Sequence, residues 1–157
     1  MLFTFKHALE SQRDLIHSWL AQDYIAAWIH GQGLQSTLDG LERFFKGEQD
    51  PIRWIAYDDQ TPFAFLITSQ KGVDAITLDV FIVDKRYLGK GLATPMIKTF
   101  LKTHFADKKK VFIDPEATNE RAIHVYKKIG FKKIDEFIAS WHPVPHILME
   151  LDMKLLD

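Results

Sequence analysis

Between Asp79 and Ala93 the chain reads Asp79-Val-Phe-Ile-Val-Asp-Lys-Arg86-Tyr-Leu-Gly89-Lys-Gly91-Leu-Ala93, a stretch built to receive an anion. Its first part belongs to an apolar, β-branched run, Ile76 to Val83, that reads as a buried strand. The turn Arg86-Tyr-Leu-Gly89-Lys-Gly91 then leads into an amphipathic helix with Leu92, Met96, Phe100, Leu101 and Phe105 on one face. The first N–H groups of such a helix have no intrahelical partner, and the helix dipole adds positive potential there. Glycine at 89 and 91 lets the backbone approach a phosphate with no Cβ in the way. Arg86 and Lys90 either add charge to this cradle or are ordinary solvated side chains. Two nucleotide loops are excluded by their own spacing. A Walker A loop requires Ser or Thr after Gly89-Lys90, where Gly91 stands, and the dinucleotide loop requires a third glycine where Thr94 stands. What remains is Arg86-x-x-Gly89-x-Gly91 at a strand-to-helix turn, either a phosphate cradle or a glycine-rich turn of another βα unit.

The elements that must position this turn follow from periodicity and capping signals. Leu2 to Ala8 is a first strand. Ser11 caps a helix to Leu20 with Leu15, Ile16, Trp19 and Leu20 inward. Asp23 to Ile29 is a short helix ended by Gly31-Gln-Gly33, and Ser36 and Thr37 open another that runs to Lys46 and stops at Gly47. Ile52 to Tyr57 and Pro62 to Thr68 form a hairpin about Asp58-Asp-Gln-Thr. After the Ile76 to Val83 strand comes a helix from about Gly91 to Phe105, in which Pro95 implies a late start or a slight kink. Val111 to Asp114 is a short buried strand. Thr118 or Asn119 caps a helix with Ala122, Ile123, Tyr126 and Ile129 on one face, ended by Gly130. Phe131 to Ala139 and His146 to Met153 are the last strands. The condensed order is β-α-α-β-β-β-α-β-α-β-β, an α/β (α+β) chain with no repeat, linker or low-complexity tract.

The whole composition narrows the function further. A chain of 157 residues fits one domain over residues 1–157, and an aromatic content of 13% points to substantial packing or a lined cleft. The net charge of −1 lacks the basic excess of a nucleic-acid binder. Without cysteine there is no disulfide, thiolate metal site or cysteine nucleophile. No apolar stretch has membrane-spanning length, and Met1 to Glu10 lacks the layout of a secretory signal, so no membrane partner and a cytoplasmic location are expected. The seven histidines show no metal-binding spacing, and no metal is expected. His142 and His146 flank prolines and read as loop residues. Lys108-Lys-Lys110 reads as a solvated strand entry, with contact to a phosphate as the alternative.

A second motif lies downstream: Asp114-Pro-Glu-Ala-Thr-Asn119-Glu-Arg-Ala122-Ile-His-Val-Tyr126-Lys-Lys-Ile-Gly130-Phe131. Together, Arg86-x-x-Gly89-x-Gly91 and this Asn, Ala, Tyr, Gly-Phe pattern resemble the two coenzyme A motifs of the GNAT superfamily of acyl-CoA-dependent N-acyltransferases, in the family's order. Leu15-Ile-His-Ser-Trp-Leu, Ile25-Ala-Ala-Trp28, Leu78-Asp79 and Asp114-Pro115 further resemble the aminoglycoside 6′-N-acetyltransferase branch, which confers antibiotic resistance. The likeness runs from about Leu15 to Phe131 and has no counterpart for Trp141-His-Pro-Val-Pro-His146. It implies a mixed central sheet with helices on both faces. It also implies acetyl-CoA as cofactor, a small-molecule amine as substrate, and a monomer or homodimer.

The resemblance also implies roles for particular residues. The N–H groups of Leu88, Gly89, Lys90, Gly91, Leu92 and Ala93 would hold the pyrophosphate, aided by Arg86. The edge of Phe81, Ile82 and Val83 would pair with the pantetheine amides, as a peptide adds to a sheet edge. Asn119, Ala122 and Tyr126 would complete the cofactor contacts. Tyr126 is the candidate acid toward the departing thiolate: a phenol near pKa 10 against a thiol near 8.5 is a mismatch of about 2 kcal/mol. The bland alternative is a tyrosine packed in the core. Asp79 would face the acceptor. Against an ammonium its ordinary carboxylate pKa leaves a gap of about 8 kcal/mol, so unless burial intervenes it reads first as an anchor for the substrate ammonium and second as a base acting through water. Its alternative is a turn carboxylate. Asp114 would add a second negative charge or cap the following helix, and Trp28 and Tyr24 would wall the acceptor or lie in the core. The family's second aromatic after Trp28 is Ile29 here. Siderophore-type hydroxylysine acyltransferases share much of this pattern, and a non-catalytic acyl-CoA-binding module is the reading from another class.

Overall fold

The structure, a computed structural model describing residues 2–157, contains seven strands and five α-helices among the described residues. In chain order they are β1 (Phe3–His7), α1 (Arg13–Leu20), α2 (Asp23–Ala26), α3 (Gly31–Phe45), β2 (Ile52–Asp58), β3 (Thr61–Lys71), β4 (Ala75–Ile82), α4 (Ala93–His104), β5 (Lys110–Ile113), α5 (Glu120–Ile129), β6 (Lys132–Ile138) and β7 (Pro145–Asp152). The strands hydrogen-bond in the order β1-β2-β3-β4-β5-β7-β6. β4 and β5 run parallel, whereas β1–β2, β2–β3, β5–β7 and β6–β7 are antiparallel. The expected mixed sheet with accompanying helices is therefore present. No helix among the described residues is long and apolar enough to cross a membrane.

Two compact units divide the chain. The first takes the residues up to Ser69 together with Val80–Leu88; the second takes Gln70–Asp79 and Gly89–Asp157. In the first, β2 and β3 bury nearly continuous apolar runs, and Ile16, Trp19, Leu20, Ile25, Leu41, Ile55, Phe65 and Val83 form one cluster. In the second, Met96, Ile97, Phe100 and Leu101 of α4 and Ile123, Tyr126 and Ile129 of α5 are buried, as are Val111, Ile113, Met149 and Leu151 of the strands. Each buried Leu, Ile or Phe side chain contributes about 1.5–3 kcal/mol by leaving water, so these two clusters carry most of the driving force.

Helix ends are where the sequence expectations and the structure part. Gly31-Gln-Gly33 does not stop a helix. Gly31 is the first residue of α3, and Thr37, expected to open that helix, lies inside it with its hydroxyl donating to the Gly33 carbonyl at 2.9 Å. Ser11 does not cap α1 either. The chain enters through a 3₁₀ turn, Glu10–Gln12, in which the Gln12 Oε1 accepts from the Leu9 N–H at 2.9 Å. Leu15 faces outward at 40% exposure, while Ile16, Trp19 and Leu20 are buried as the pattern predicts. Pro95 gives the late start: α4 begins at Ala93, which puts Pro95 at the third helical position, where a missing N–H breaks no intrahelical bond. Asn119 is the cap of α5, its Oδ1 accepting from the Ala122 N–H at 3.2 Å.

One buried cation fixes the approach of α3 to β2. Arg53 is buried, its Nη1 donates to the Pro51 carbonyl at 3.1 Å, and its Nη2 would lie 2.1 Å from a Cβ placed on Gly40. The sequence marks neither residue, because a glycine inside a helix usually only weakens it. Gly40→Ala gains about 1 kcal/mol of helix propensity, yet it must displace a buried guanidinium, at roughly 1–3 kcal/mol for overpacking. The expected outcome is a lower urea midpoint at unchanged slope; a higher midpoint would show that Arg53 gives way freely.

Candidate active site

In the second unit the geometry begins where two strands part. β4 and β5 are paired over Ala75↔Lys110, Ile76↔Val111 and Thr77↔Phe112, and β4 then continues to Ile82 although β5 ends at Ile113. Asp79 and Asp114 each stand two residues beyond the last pair, at matching positions on the separating strands. Asp79 is exposed on β4, and Asp114 is half-buried. Burial pushes the Asp114 carboxyl above its ordinary value, while the charge of His146, its own backbone N–H and Lys71 draw it partly back. The Tyr126 phenol faces the same place. It is 8% exposed on the inner face of α5, with its ring against Phe131 at 5.9 Å. Burial raises its pKa well above the ordinary phenol value, and the negative charges of Asp79 and Asp114 raise it further. One protonated phenol thus shares its surroundings with two carboxylates. Such a site attracts a cationic amine and keeps an O–H donor in place.

The cradle residues of the second unit have the backbone that phosphate binding needs. Gly89 and Gly91 both have positive φ, +71° and +69°, and both are exposed. A Cβ at Gly91 would meet no atom within 4 Å, and at Gly89 only the Arg121 Nη2, at 3.6 Å. Leu92 is the N-cap of α4 and offers no side-chain cap, so no side chain of the cap serves the first N–H groups at Ala93 and Thr94. Pro95 narrows this donor set by one. Lys90 is exposed beside the glycines. Arg121, in the first turn of α5, is the cationic arm that no motif position marked. The only signal for it in the sequence is a basic residue two places after the capping Asn119.

The other candidates belong to the first unit. The Val83 N–H donates to the Phe63 carbonyl at 2.8 Å, and the Val83 carbonyl accepts from Gln22 Nε2 at 2.8 Å. The Ile82 carbonyl accepts from the Tyr24 hydroxyl at 2.9 Å. Of the strand segment Phe81 to Val83, Val83 therefore spends its donor within the protein. Tyr24 packs against the apolar cluster of this unit with the Lys85 ammonium 5.8 Å from its ring centroid, whereas Trp28 is 43% exposed and is no core residue. Arg86 is clamped on Asp84, with Nη2 2.6 Å from Oδ2, and the guanidinium holds the Asp84 carboxyl below the usual range. The Leu88 N–H closes a 3₁₀ turn onto the Lys85 carbonyl at 3.2 Å, which takes it out of the donor set expected for the pyrophosphate.

Two expectations outside the motifs need correction. His146 is not a loop residue: it lies in β7, 5% exposed, with Nδ1 2.8 Å from the Val144 carbonyl and its ring stacked on Phe137. The lysine run is not merely solvated. Lys108 donates to the Val73 carbonyl at 3.2 Å, Lys109 stands 3.5 Å from Asp74, and Lys110 pairs with Glu150. No cluster of side chains suited to a metal ion occurs among the described residues.

Known proteins resemble this chain in sequence and in fold. The profile of the acetyltransferase (GNAT) domain matches residues 8–139. The crystal structure of an aminoglycoside N(6′)-acetyltransferase from Legionella pneumophila superposes with a TM-score of 0.92 at 49% identity, covering 97% of this chain and 92% of that one. The aminoglycoside N(6′)-acetyltransferase type 1 of Klebsiella pneumoniae is 24% identical over 155 residues, covering 83% of this chain and 74% of that protein. AAC(6′)-Ib, solved with coenzyme A and kanamycin, shares the fold at 18% identity with a TM-score of 0.81, covering 98% and 96% of the two chains. With a family match through most of its length, the chain belongs to the GNAT acetyltransferases.

Proposed function

We propose that this protein transfers an acetyl group from acetyl-CoA to a primary amine of a small polycationic acceptor, with an aminoglycoside 6′-amine as the first candidate. The observation that carries this reading is Tyr126, buried and protonated beside the two carboxylates Asp79 and Asp114. Support comes from the 49% identity to the Legionella aminoglycoside enzyme across almost the whole chain. The activity would occupy a single domain over residues 1–157 in the cytoplasm, as a monomer or homodimer, and antibiotic resistance would be its cellular consequence.

The residues fit coenzyme A. Gly89 and Gly91 with positive φ, the uncapped start of α4, Lys90 and Arg121 suit a pyrophosphate. When bound, acetyl-CoA supplies the acetyl group as an activated thioester and leaves as a thiol. The protein's own groups do the rest. Asp79, exposed and anionic, holds the acceptor's ammonium. An ordinary carboxylate lies about 8 kcal/mol from an ammonium in basicity, which argues against direct deprotonation. Asp114 adds negative charge for a second ammonium of the acceptor. The proton that the ammonium gives up would pass to water, with Asp79 acting on it only through that water. The departing thiolate would be protonated from the same water, while Tyr126 keeps its own proton and would donate a hydrogen bond to the sulfur. Since burial raises this phenol above pKa 10, the mismatch with a thiol exceeds about 2 kcal/mol, so the tyrosine works as a hydrogen-bond donor rather than by full proton transfer.

Assay of free CoA thiol against a panel of amines tests the reading. Kanamycin is expected to release thiol, whereas N-hydroxylysine as the sole active acceptor would support the siderophore alternative. Asp79→Asn is expected to lower kcat/KM for kanamycin at least tenfold, about 1.4 kcal/mol, with acetyl-CoA affinity by calorimetry unchanged. Unchanged activity would remove Asp79 from the site.

Tyr126→Phe is expected to reduce kcat by about a hundredfold, the scale of a lost hydrogen-bond donor to developing charge. The same substitution should delete the highest-pH component of the tyrosinate absorbance. Because the folded state holds this proton more tightly than the unfolded chain does, the wild type loses stability as the pH rises above about 10, and Tyr126→Phe should lose less. Loss of a component near pH 10 instead would contradict the buried, anion-flanked phenol.

A further inference from the structure

Lys71 is a cation that the chemistry above leaves unused, and it stands on an aromatic ring. Its ammonium lies 4.0 Å from the centroid of Phe112, a far tighter contact than that of Lys85 on Tyr24 at 5.8 Å. Lys71 ends β3 and Phe112 lies in β5, with β4 between them in the sheet, so the side chain reaches across one strand to the ring. The nearby Lys109 and Lys110 are paired with Asp74 and Glu150, whereas Lys71 makes no ion pair among the described residues. Phe112 in turn adjoins the two carboxylates. It is the last β5 residue paired with β4, opposite Thr77, and Asp114 and Asp79 follow two places along on either strand. Val111 and Ile113 are buried, as are Ile76 and Leu78, so alternation turns Phe112 and Asp114, with Thr77 and Asp79, toward the other face of the sheet. Two residues of strand span about 6.6 Å, which places the ring and both carboxylates within the reach of one small polyamine. On its other side Phe112 is paired with Glu150 of β7, whose carboxylate is already held by Lys110.

We propose that the Phe112 ring is a cation seat of the acceptor site, occupied by the Lys71 ammonium until an ammonium of the bound polyamine takes its place. This rests on the reading of Asp79 and Asp114 as anchors of a cationic acceptor. The face of an aromatic ring attracts a cation through its quadrupole, by a modest amount at an exposed position. One ammonium on the ring excludes a second, by space and by like charge. Lys71 is exposed and Phe112 half-buried, so the ammonium can leave the ring without unpacking a core. The departing lysine loses only this contact and returns to water. An acceptor already held by the carboxylates brings its second ammonium to the ring at high effective concentration, whereas a monoamine has none to bring. Ring and lysine together thus select for acceptors whose ammonium groups are spaced to span carboxylate and ring.

A double-mutant cycle tests the exchange, read as the dissociation constant of kanamycin by calorimetry with coenzyme A present. Lys71→Gln is expected to tighten kanamycin about threefold, the scale of an exposed cation–ring contact. Lys71→Arg, which keeps a cation on the ring, should stay near the wild-type value. In the Phe112→Leu background the contested ring is gone, and Lys71→Gln should then gain little. No gain from Lys71→Gln overturns the proposal. So does an equal gain with and without the ring, which would report only the loss of a like charge. Should Phe112→Leu not fold, the exchange is read in the wild type from the NMR signal of the Lys71 ε-methylene, assigned from the spectrum of Lys71→Gln. The ring shifts this signal upfield. Its return toward the position of a solvated lysine as kanamycin binds supports the seat, and an unmoved signal with kanamycin bound overturns it. A wild type that binds no kanamycin counts against the aminoglycoside reading, and the same titration with spermine then decides the seat: displacement of Lys71 supports it, and no displacement overturns it.

Discussion

β4 and β5 remain hydrogen-bonded for three residue pairs and then separate, and the chemistry of the second unit depends on that separation. A parallel pair continued to the end of β4 would set residues 79 and 114 side by side in a ladder. Two carboxylates so placed would repel, which is a cost the open arrangement avoids by letting solvent or a cation stand near them. The parting is supported by its neighbours. β5 is held on its other side by β7 from Lys110↔Asp152 to Ile113↔Met149, and the loop beyond Asp114 is tied to Pro145 and Ile147. The short length of β5 then exposes what β4 carries onward.

Electrostatics at this place run in one direction. A buried phenol and a half-buried carboxyl are both pushed toward their neutral forms by desolvation, and each of the two carboxylates makes ionisation of Tyr126 less favourable. The outcome is a site whose net charge invites ammonium groups and whose one hydroxyl donor does not ionise. A cationic acceptor would relieve that accumulation of negative charge, which is a physical reason for such a site to prefer polyamines over neutral amines. By contrast, Arg86, which the sequence presents as a charge for the cradle, spends its guanidinium on Asp84, and Arg121 stands over Gly89 instead.

What the sequence made legible was whatever rests on local pattern. The strand runs, the glycine turn, the Asn119 cap, the late start forced by Pro95 and the inward face of α5 all follow from periodicity and capping, and the structure has each of them. What it hid depends on contacts distant in the chain. Gly31 and Gly33 look like a stop and are a start, because the chain before them turns through an extended residue, His30, that glycine composition does not reveal. His146 looks like a loop residue among prolines, yet a bridge to Glu116 and stacking on Phe137 make it part of a strand. The Val83 and Leu88 N–H groups look available to a ligand until their acceptors, Phe63 and Lys85, are seen. Arg53 against Gly40 is a pairing thirteen residues apart that no motif records.

The claim on which the rest turns is that the carboxylates and the phenol together form a place where a polycationic amine loses a proton and gains an acetyl group. Structural identification of the product by NMR, after incubating the protein with acetyl-CoA and kanamycin, tests it most directly. The account predicts kanamycin carrying a single acetyl group on its 6′-nitrogen. Intact kanamycin alongside bound but unspent acetyl-CoA, or acetyl found on a hydroxyl, would contradict it.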